Sequence, residues 1–260
     1  MSHVELEHQG RVARLWLNRP EVHNALSADL LEELSAALHA LAHDASVRVV
    51  VLGGRGASFC AGADLEAMKA SANASFDANL AEAKRLGGAF ATLADFPKPL
   101  VGRIHGSVFG GGVGLTCACD IAVAADDARF GLTEVRLGII PGLISPYVIR
   151  RLGERHAREL MLTGERFAGP DALRVGLVHH VVPAGQLDAK VDERVGELLK
   201  GAPHAQERIK SLLELWGETG WEEYRAGLPR TLAEVRSGDE ARDGLAAFFE
   251  KRKPRWQVDA

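Results

Sequence analysis

Two glycine-rich stretches of the chain present backbone amides that could bind a developing negative charge. One of them, FGGGVGL, has three consecutive glycines at 110–112 and a fourth at Gly114. Glycine lets a ligand approach the backbone closely, and the first N–H groups of a helix have no partner inside the helix. A helix that begins at Gly111 and Gly112 would offer free donors to an anionic oxygen, with the positive end of its dipole behind them. A tightly packed glycine turn is the alternative.

The second stretch, GGRGASFCAGADLEAM at 53–68, follows a buried-strand pattern and precedes a predicted helix. Its AGAD segment also leaves amides unencumbered, so the two loops could supply two donors to one oxygen. An ordinary loop at a strand end is the alternative. The triple-glycine stretch has neither the spacing G-x-G-x-x-G nor that of a P-loop, which argues against a nucleotide-phosphate site.

Hydrophobic periodicity predicts the elements that position these loops. Alternation predicts a strand hairpin at 3–17, a β-branched run predicts a buried strand at 47–54, and a stripe of leucines predicts a helix that begins after Ser27. Further predicted elements are a helix at 75–95, strands at 99–106 and 121–126, and a short buried helix from 111. This recurrence of strands and helices predicts an α/β fold.

The character of the chain changes after about residue 145, where short helices and turn residues follow one another, and 187–250 reads as mostly helical. No linker rich in Gly, Ser or Pro divides these parts. We therefore expect a core at 1–195 and a helical region at 196–260 that packs on the core or on a neighbouring chain.

Composition excludes several classes of function. With a formal net charge of -4 the chain has no basic footprint, so nucleic acid is not expected as a partner. Its three cysteines fit neither a disulfide framework nor a C-x-x-C metal site, which favours buried thiols in a reducing cytoplasm. The sequence shows no signal peptide, no run of 18 apolar residues and no H-E-x-x-H, so we expect no membrane span and no metal.

Several motifs together resemble the crotonase (enoyl-CoA hydratase/isomerase) superfamily. They are SFCAGADL, HGSVFGGGVGL and ARFGLTEVRLGIIPG, within a similarity that runs from LNRPEVHNAL to the closing FFEKRKPRW. The resemblance implies a ClpP-like spiral of ββα units, a helical C-terminal region that forms trimers, and trimers that often pair into hexamers. It also implies reversible hydration of an acyl-CoA thioester through an enolate, with coenzyme A as part of the substrate and no separate cofactor.

The resemblance also assigns roles to residues. Ala63 and Gly111 match the two positions whose N–H groups hold the thioester oxygen, and Glu134 matches a carboxylate used for acid/base chemistry. Residues implied to bind coenzyme A or to shape the acyl pocket are His23, Ala25, Ala61, Asp64, Leu65, Met68, Phe109, Leu143 and Tyr147. Lys251 and Lys253 could reach the phosphates of coenzyme A, including those bound to a neighbouring chain; a solvated basic tail is the alternative.

Gly114 departs from the two-glutamate hydratases, which carry their second glutamate at this position of the substrate site. Glu134 alone could then move both protons, the substrate could supply a carboxylate of its own, or the enzyme could be a Δ3,Δ2-enoyl-CoA isomerase, which needs one carboxylate. In each case we expect burial to raise the pKa of Glu134.

The stretch EVRLGIIPGLISPYVIRRLGERHAREL resembles a bacterial branch associated with 3-methylglutaconyl-CoA hydratases, which interconvert 3-methylglutaconyl-CoA and 3-hydroxy-3-methylglutaryl-CoA. That acyl group carries a distal carboxylate, for which Lys69, Arg85 and His105 are candidate partners. A general short-chain enoyl-CoA hydratase and the isomerase are alternatives. A non-catalytic CoA- or RNA-binding member is a further alternative, opposed by the acidic balance and by the presence of Glu134.

Overall fold

Two sheets organise the computed structural model, which describes residues 2–258. The strands, numbered β1 to β9, are Val4–Gln9, Val12–Leu17, Val49–Gly54, Leu100–Ile104, Ser107–Phe109, Ile121–Ala125, Arg129–Gly131, Arg166–Ala168 and His180–Val182. The larger sheet has the order β1-β2-β3-β4-β6-β9, and the smaller one has the order β5-β7-β8. All pairs of the larger sheet are parallel except the hairpin of β1 and β2.

Helices make the crossovers that parallel strands require. Numbered α1 to α11, they are Ala28–His43, Leu65–Ala72, Phe76–Ala94, Gly111–Ala118, Ser145–Thr163, Gly169–Arg174, Leu187–Lys200, Pro203–Glu218, Trp221–Ser237, Asp239–Glu250 and Arg255–Val258. None of the helices between residues 2 and 258 is long and apolar enough to cross a bilayer.

One face of the larger sheet is covered by α1, as its leucine stripe predicts. Ser27 caps this helix by accepting a hydrogen bond from the Leu30 amide at 3.3 Å. Five leucines of α1 are buried, namely Leu30, Leu31, Leu34, Leu38 and Leu41. The helix therefore forms where the sequence predicts it and is held by its apolar face.

The opposite face of the sheet is covered by α7. Leu187, Val191 and Val195 lie on one side of this helix and pack against the buried valines of β2, β3, β4 and β6. The division predicted between residues 195 and 196 falls inside α7, so a boundary between elements comes only after Gly201. The helices α8 to α11 follow it, as the mostly helical pattern predicts.

The strand predicted at 99–106 is confirmed as β4, which ends at Ile104, and the next strand, β5, begins at Ser107 in the other sheet. Gly106 has a φ of +59°, and a Cβ there would collide with the Ala57 carbonyl oxygen. The chain turns at this glycine, leaves the larger sheet after Ile104 and pairs as β5 with β7. This turn carries the chain towards the triple glycine.

The short helices predicted after residue 145 are confirmed as α5 and α6, and the longer of them, α5, contains a break. Gly153 interrupts the helix with a φ of 70° and a ψ of 161°, and helical geometry resumes after it. The apolar residues Val148, Leu152, Ala157 and Leu160 of both parts are buried.

We predict that Gly112→Ala destabilises the protein through a steric effect alone. Gly112 is buried within α4, and an added Cβ would collide with the Cys60 carbonyl oxygen. Overpacking of this kind costs about 1–3 kcal/mol, which urea unfolding would measure. The matched control is Gly196→Ala in α7, where nothing lies within 4 Å; higher helix propensity should stabilise that variant by about 0.5–1 kcal/mol. Equal changes in both variants would contradict the prediction.

Candidate functional site

The two glycine-rich loops lie side by side and run in the same direction. Cys60 and Val108 form a parallel bridge, in which the Cys60 amide donates to the Ser107 oxygen at 3.1 Å and the Phe109 amide donates to the Cys60 oxygen at 3.0 Å. From this bridge the two segments continue in register, one towards the start of α2 and the other towards the start of α4.

Ala63 and Gly111 occupy equivalent positions, each three residues beyond the bridge. The residues that precede them are in contact, because a Cβ built on Gly62 would lie 2.9 Å from the Phe109 oxygen and 3.8 Å from the Gly110 nitrogen. The register therefore brings together the two positions that the sequence assigns to the donors.

The amide of Ala63 is free because its neighbours form the hydrogen bonds of this segment. Ala63 pairs with Leu26 in a parallel bridge, in which Leu26 donates to the Gly62 oxygen at 2.7 Å and Asp64 donates to the Leu26 oxygen at 3.2 Å. Successive amides of an extended chain point to opposite sides, so Ala63 N–H points away from Leu26. It has no hydrogen-bond acceptor within residues 2–258. Ala63 is exposed, although Gly62 and Asp64 on either side are buried.

The amide of Gly111 is free because it opens α4. Gly110 takes the N-cap position with a φ of 50° and offers no side chain to the helix. Across the part of the chain that the structure describes, no acceptor is paired with Gly111 N–H. A Cβ built on Gly111 would lie 2.5 Å from Leu26 Cδ1, so the residue that bridges to Ala63 through its backbone also contacts Gly111. Leu26 thus contacts both residues whose amides are free.

Glu134 brings a carboxylate to the same place. It lies in a 3₁₀ turn, Thr133–Leu137, that follows β7, and its Oε1 is 3.0 Å from where a Cβ of Gly110 would be. Its Oε2 is buried and has no hydrogen-bond partner among the described residues. Burial raises the pKa of this carboxyl above its ordinary value, because removal from water disfavours the charged form. A partly desolvated base therefore lies beside the two free amides.

The position of the missing second carboxylate is filled rather than empty. Gly114 is buried, and a Cβ there would lie 2.9 Å from Ile144 Cβ and 3.0 Å from Phe90 Cε1. The same Phe90 has its Cζ 3.5 Å from the corresponding position on Gly111. Because Gly114 has no side chain, Ile144 and Phe90 can pack directly on α4. These two side chains form an apolar wall of the site and cover Gly114.

Asp64 lies beside the site, but its carboxylate forms hydrogen bonds within the protein. Its Oδ1 caps α2 through the amides of Glu66 at 2.9 Å and Ala67 at 3.3 Å, and its Oδ2 accepts from Arg19 Nη1 at 2.8 Å. These hydrogen bonds hold the pKa of Asp64 below its ordinary value despite burial. The side chain holds the loop that carries Ala63, and the predicted contact of Asp64 with coenzyme A stays a prediction.

Sequence reasoning missed Arg19 and Asn24, which brace the same loop. Arg19 Nη1 also donates to the Ala25 oxygen at 2.7 Å. The fully buried Asn24 donates to the oxygens of Arg55 at 2.9 Å and Ser58 at 2.8 Å, with a φ of 55°. A buried asparagine in LNRPEVHNAL could have been suspected from its apolar neighbours, but its partners lie more than 30 residues away.

The remaining predicted binding residues surround the two amides at different depths. His23 is exposed, with Nδ1 3.0 Å from Ser58 Oγ, and its oxygen accepts from the Ala61 amide at 2.9 Å. Leu65 is 72% exposed, and Ala25 is buried. These residues form a rim along the 23–26 and 61–65 segments.

The predicted acyl-pocket residues lie on different elements around Phe90 and the smaller sheet. Leu143 packs towards Gly87 of α3. Tyr147 lies beyond Phe90, with ring centroids 6.4 Å apart, and Asp95 and Arg150 are its charged neighbours. Phe109 lies towards β7 on the other side, and the guanidinium of Arg166 is 4.9 Å from its ring. The half-buried Met68 lies on α2.

None of the three candidate cations is placed at Glu134. Lys69 is paired with Glu66 at 3.0 Å on exposed α2, and Arg85 is paired with Glu32 at 2.9 Å. His105 donates Nε2–H to the Gly56 oxygen at 2.9 Å and lines a cleft with Arg103 on the α7 side of the sheet. Burial lowers the pKa of His105 below its ordinary value. Each of the three has a partner within the protein, and their role as partners of a distal carboxylate stays a prediction.

Lys251 is not brought to this site within one chain. It ends α10 in the left-handed conformation with a φ of 54°, and the tail after it returns to the end of α7, where Trp256 Nε1 donates to the Lys200 oxygen at 3.1 Å. Arg48, just before β3, donates to the adjacent Gly201 oxygen at 2.5 Å. The tail after Lys251 therefore lies at the edge of the sheet where β3 begins. Ala63 lies in the loop that follows the opposite edge, where β3 ends. A contact between Lys251 and bound coenzyme A would need a second chain.

The three thiols are placed as the composition predicts. Cys60, Cys117 and Cys119 are free and buried, and burial raises the pKa of each to about 12. No group of three or more His, Cys, Asp or Glu side chains within residues 2–258 could hold a metal ion. The cytoplasmic location and the lack of a metal or separate cofactor stay predictions.

Comparison with known proteins agrees with this geometry. The family model described as enoyl-CoA hydratase/isomerase matches residues 7–259. A crystal structure of an enoyl-CoA hydratase from Shewanella pealeana superposes with a TM-score of 0.93 at 36% identity, covering 98% of this chain and 96% of that one. A short-chain-enoyl-CoA hydratase of Clostridium acetobutylicum is 33% identical over 97% of both chains. A 2,3-dehydroadipyl-CoA hydratase of Escherichia coli is 33% identical over 98% of both.

The fold is the crotonase fold with a helical C-terminal region, as the sequence motifs predict. The chain belongs to the enoyl-CoA hydratase/isomerase family, and it is a hydro-lyase of the enoyl-CoA hydratase type.

We predict that the buried charge of Glu134 destabilises the fold as the pH rises. A carboxyl whose pKa is higher in the folded state binds more protons there than in the unfolded state, so the free energy of unfolding falls as pH increases from about 4.3 through the folded-state pKa. Each unit of difference corresponds to about 1.4 kcal/mol. Chemical denaturation at several pH values should show wild type losing stability relative to Glu134→Gln across this window. The control Glu165→Gln removes an exposed carboxylate, and a pH trend of the same size relative to both variants would contradict the assignment.

Proposed function

We propose that this chain reversibly hydrates a 2-enoyl-CoA thioester with Glu134 as its acid/base group and the amides of Ala63 and Gly111 as its oxyanion donors. The observation that carries the proposal is the buried, unpartnered Oε2 of Glu134 beside two amides that have no acceptor within residues 2–258. Preorganised donors directed at a developing charge are worth about 10²–10³ in rate each.

Each atom of the added water has a destination in this arrangement. Glu134 accepts a proton as the water oxygen bonds to C3, and the electron pair of the C2–C3 double bond moves towards the thioester oxygen. The two amides stabilise the resulting enolate. Glu134 then returns the proton to C2, on the face from which the water was delivered, and dehydration reverses these steps.

A single carboxylate is sufficient for these steps, because Glu134 accepts one proton and returns one proton and so ends in its initial ionised form. The side chains of Ile144 and Phe90 fill the region beside Gly114, so no second carboxylate is needed or accommodated there. The raised pKa of Glu134 makes its protonated form a more available donor near neutral pH.

We propose that His23, Ala25, Ala61 and Leu65 line the path of coenzyme A, and that Lys251 reaches the coenzyme A of a second chain. Large apolar side chains are exposed on α8 to α10, among them Ile209, Leu213, Trp216, Leu232, Phe248 and Phe249. Such a surface fits burial between copies of the chain, in agreement with the trimer or hexamer expected from the family. Sedimentation analysis would measure that assembly directly.

The acyl group of the substrate is best supported as a short apolar one. Leu26, Phe90 and Ile144 are the side chains that close around Gly111 and Gly114 of α4, and the three candidate cations are paired with other groups of the protein. The 3-methylglutaconyl group rests on sequence resemblance alone. The relatives act by name on a short-chain enoyl group in one case and on a dehydroadipyl group in another, at 33% identity each, so identity does not choose between them.

We predict that Glu134→Gln lowers kcat on crotonyl-CoA by a factor of about 10²–10⁴, the contribution of a positioned acid/base group. The amide preserves the shape of the side chain but cannot accept the proton, so binding of the thioester should persist. The loss of conjugated absorbance measures turnover, and calorimetry measures binding. Glu165→Gln is the control and should hydrate normally; rates within threefold of wild type for Glu134→Gln would remove Glu134 from the chemistry.

We predict that crotonyl-CoA is hydrated with a kcat/KM at least about tenfold above that of 3-methylglutaconyl-CoA, because an unpaired carboxylate is costly to bury. A substrate panel with and without a distal carboxylate measures this ratio. The reverse preference would favour the methylglutaconyl substrate. A gain of conjugated absorbance from a 3-enoyl-CoA, without hydration of 2-enoyl-CoA, would identify the isomerase instead.

A further inference from the structure

The helix α4 has few side chains that could fix its position along its own axis. Its sequence, GGVGLTCA, consists mostly of small residues, and Gly110 provides no side-chain cap at its start. The N-terminal end must also keep the Gly111 amide free for the thioester oxygen in the proposed reaction. Polar anchoring of this helix has therefore to come from its other end.

Arg151 provides that anchor at the C-terminal end of α4. Its Nε donates to the Cys117 oxygen at 2.9 Å, and its Nη2 donates to the Cys119 oxygen. The last carbonyls of a helix have no partner within the helix and carry the negative end of its dipole. A guanidinium there satisfies two of them with a fixed fork of donors.

Within residues 2–258, the guanidinium of Arg151 interacts with the carbonyls at the end of α4 and not with a carboxylate. No carboxylate lies within ion-pair distance of its guanidinium among the residues that the structure describes, although the exposed arginines of this chain are commonly paired with carboxylates. The nearby His179 accepts a hydrogen bond from the Ala122 amide at 3.0 Å, and burial and the Arg151 charge both lower its pKa.

Arg151 also belongs to the face of α5 that docks on α4. Ile144, Val148 and Arg151 are spaced by four and three residues, which places them on one side of a helix. Ile144 packs on Gly114 near the start of α4, Val148 is fully buried, and Arg151 holds the end of α4. Contacts at both ends fix the eight residues of α4, a length of about 12 Å at 1.5 Å per residue.

We propose that Arg151 is a positioning residue of the hydratase, which fixes α4 along its axis and so sets where the Gly111 amide meets the thioester oxygen. This inference rests on the proposed function, because it assigns the amide its role. Arg151 itself touches neither the substrate nor Glu134. Its removal should weaken polarisation of the thioester carbonyl rather than capture of coenzyme A.

The test compares Arg151→Met, Arg151→Lys and the control Arg150→Met, which removes a charge from the neighbouring position of α5 without a hydrogen bond to α4. Two quantities are measured well below the melting temperature of each variant. One is the split between kcat and KM on crotonyl-CoA. The other is the red shift in the absorbance of bound 4-dimethylaminocinnamoyl-CoA, a conjugated thioester whose spectrum responds to donors at its carbonyl oxygen.

We expect Arg151→Met to lower kcat about tenfold, less than the loss of a whole donor, with KM within threefold and a smaller red shift. Arg151→Lys should recover part of both quantities, since an ammonium can still donate to one carbonyl, and Arg150→Met should match wild type. A normal red shift and kcat in a folded Arg151→Met would overturn the proposal, as would lowered stability with an unchanged shift. If Arg151→Met does not fold, Arg151→Lys decides by the same two readouts. Absence of hydration in wild type would instead refute the proposed function, while the shift of the bound probe would still test the position of the amide.

Discussion

The site depends on keeping two backbone amides, those of Ala63 and Gly111, without hydrogen-bond acceptors within residues 2–258. A buried amide without a partner is costly, so the chain can maintain such donors only where a ligand or solvent reaches them. Ala63 meets this condition because successive amides of an extended segment point to opposite sides. Leu26 forms hydrogen bonds with Gly62 and Asp64, and the Ala63 amide between them stays free. Gly111 meets it by opening a helix. Two unrelated backbone geometries therefore supply equivalent donors at one place.

Much of the surrounding polar chemistry serves this arrangement rather than the substrate. The Arg19–Asp64 pair and the Asn24 amide hold the loops that lead to Ala63, and Arg151 holds the helix that begins at Gly111. These groups satisfy carbonyls and loop amides at positions remote from the oxygen to be bound. The donors at the site can remain fixed before a ligand arrives, and preorganisation of this kind is what makes an uncharged amide effective against a developing charge.

Local signals in the sequence predicted the elements and the two loops with free amides, because leucine periodicity and the glycine run are features of neighbouring residues. The choice of Ala63 and Gly111 within those loops came from the family resemblance. The same signals could not show that Ile144 and Phe90 fill the region beside Gly114, since those side chains come from α5 and α3. Nor could they show that the Asp64 carboxylate pairs with Arg19, 45 positions earlier. Gly106 was read as part of a strand because its turn follows from a contact with Ala57. The errors concern distant packing.

The filled region beside Gly114 has a consequence for the acid/base chemistry. Two carboxylates at short range would repel each other and share their protons, so their pKa values would belong to the pair. Here apolar packing against α4 leaves Glu134 to titrate with burial as the main cause of its raised pKa. One group must then be basic enough to take a proton from water and acidic enough, once protonated, to return it to carbon. A carboxyl whose pKa is raised towards neutrality suits both steps better than a fully solvated one, and the apolar wall of Phe90 and Ile144 helps to maintain that condition by excluding water.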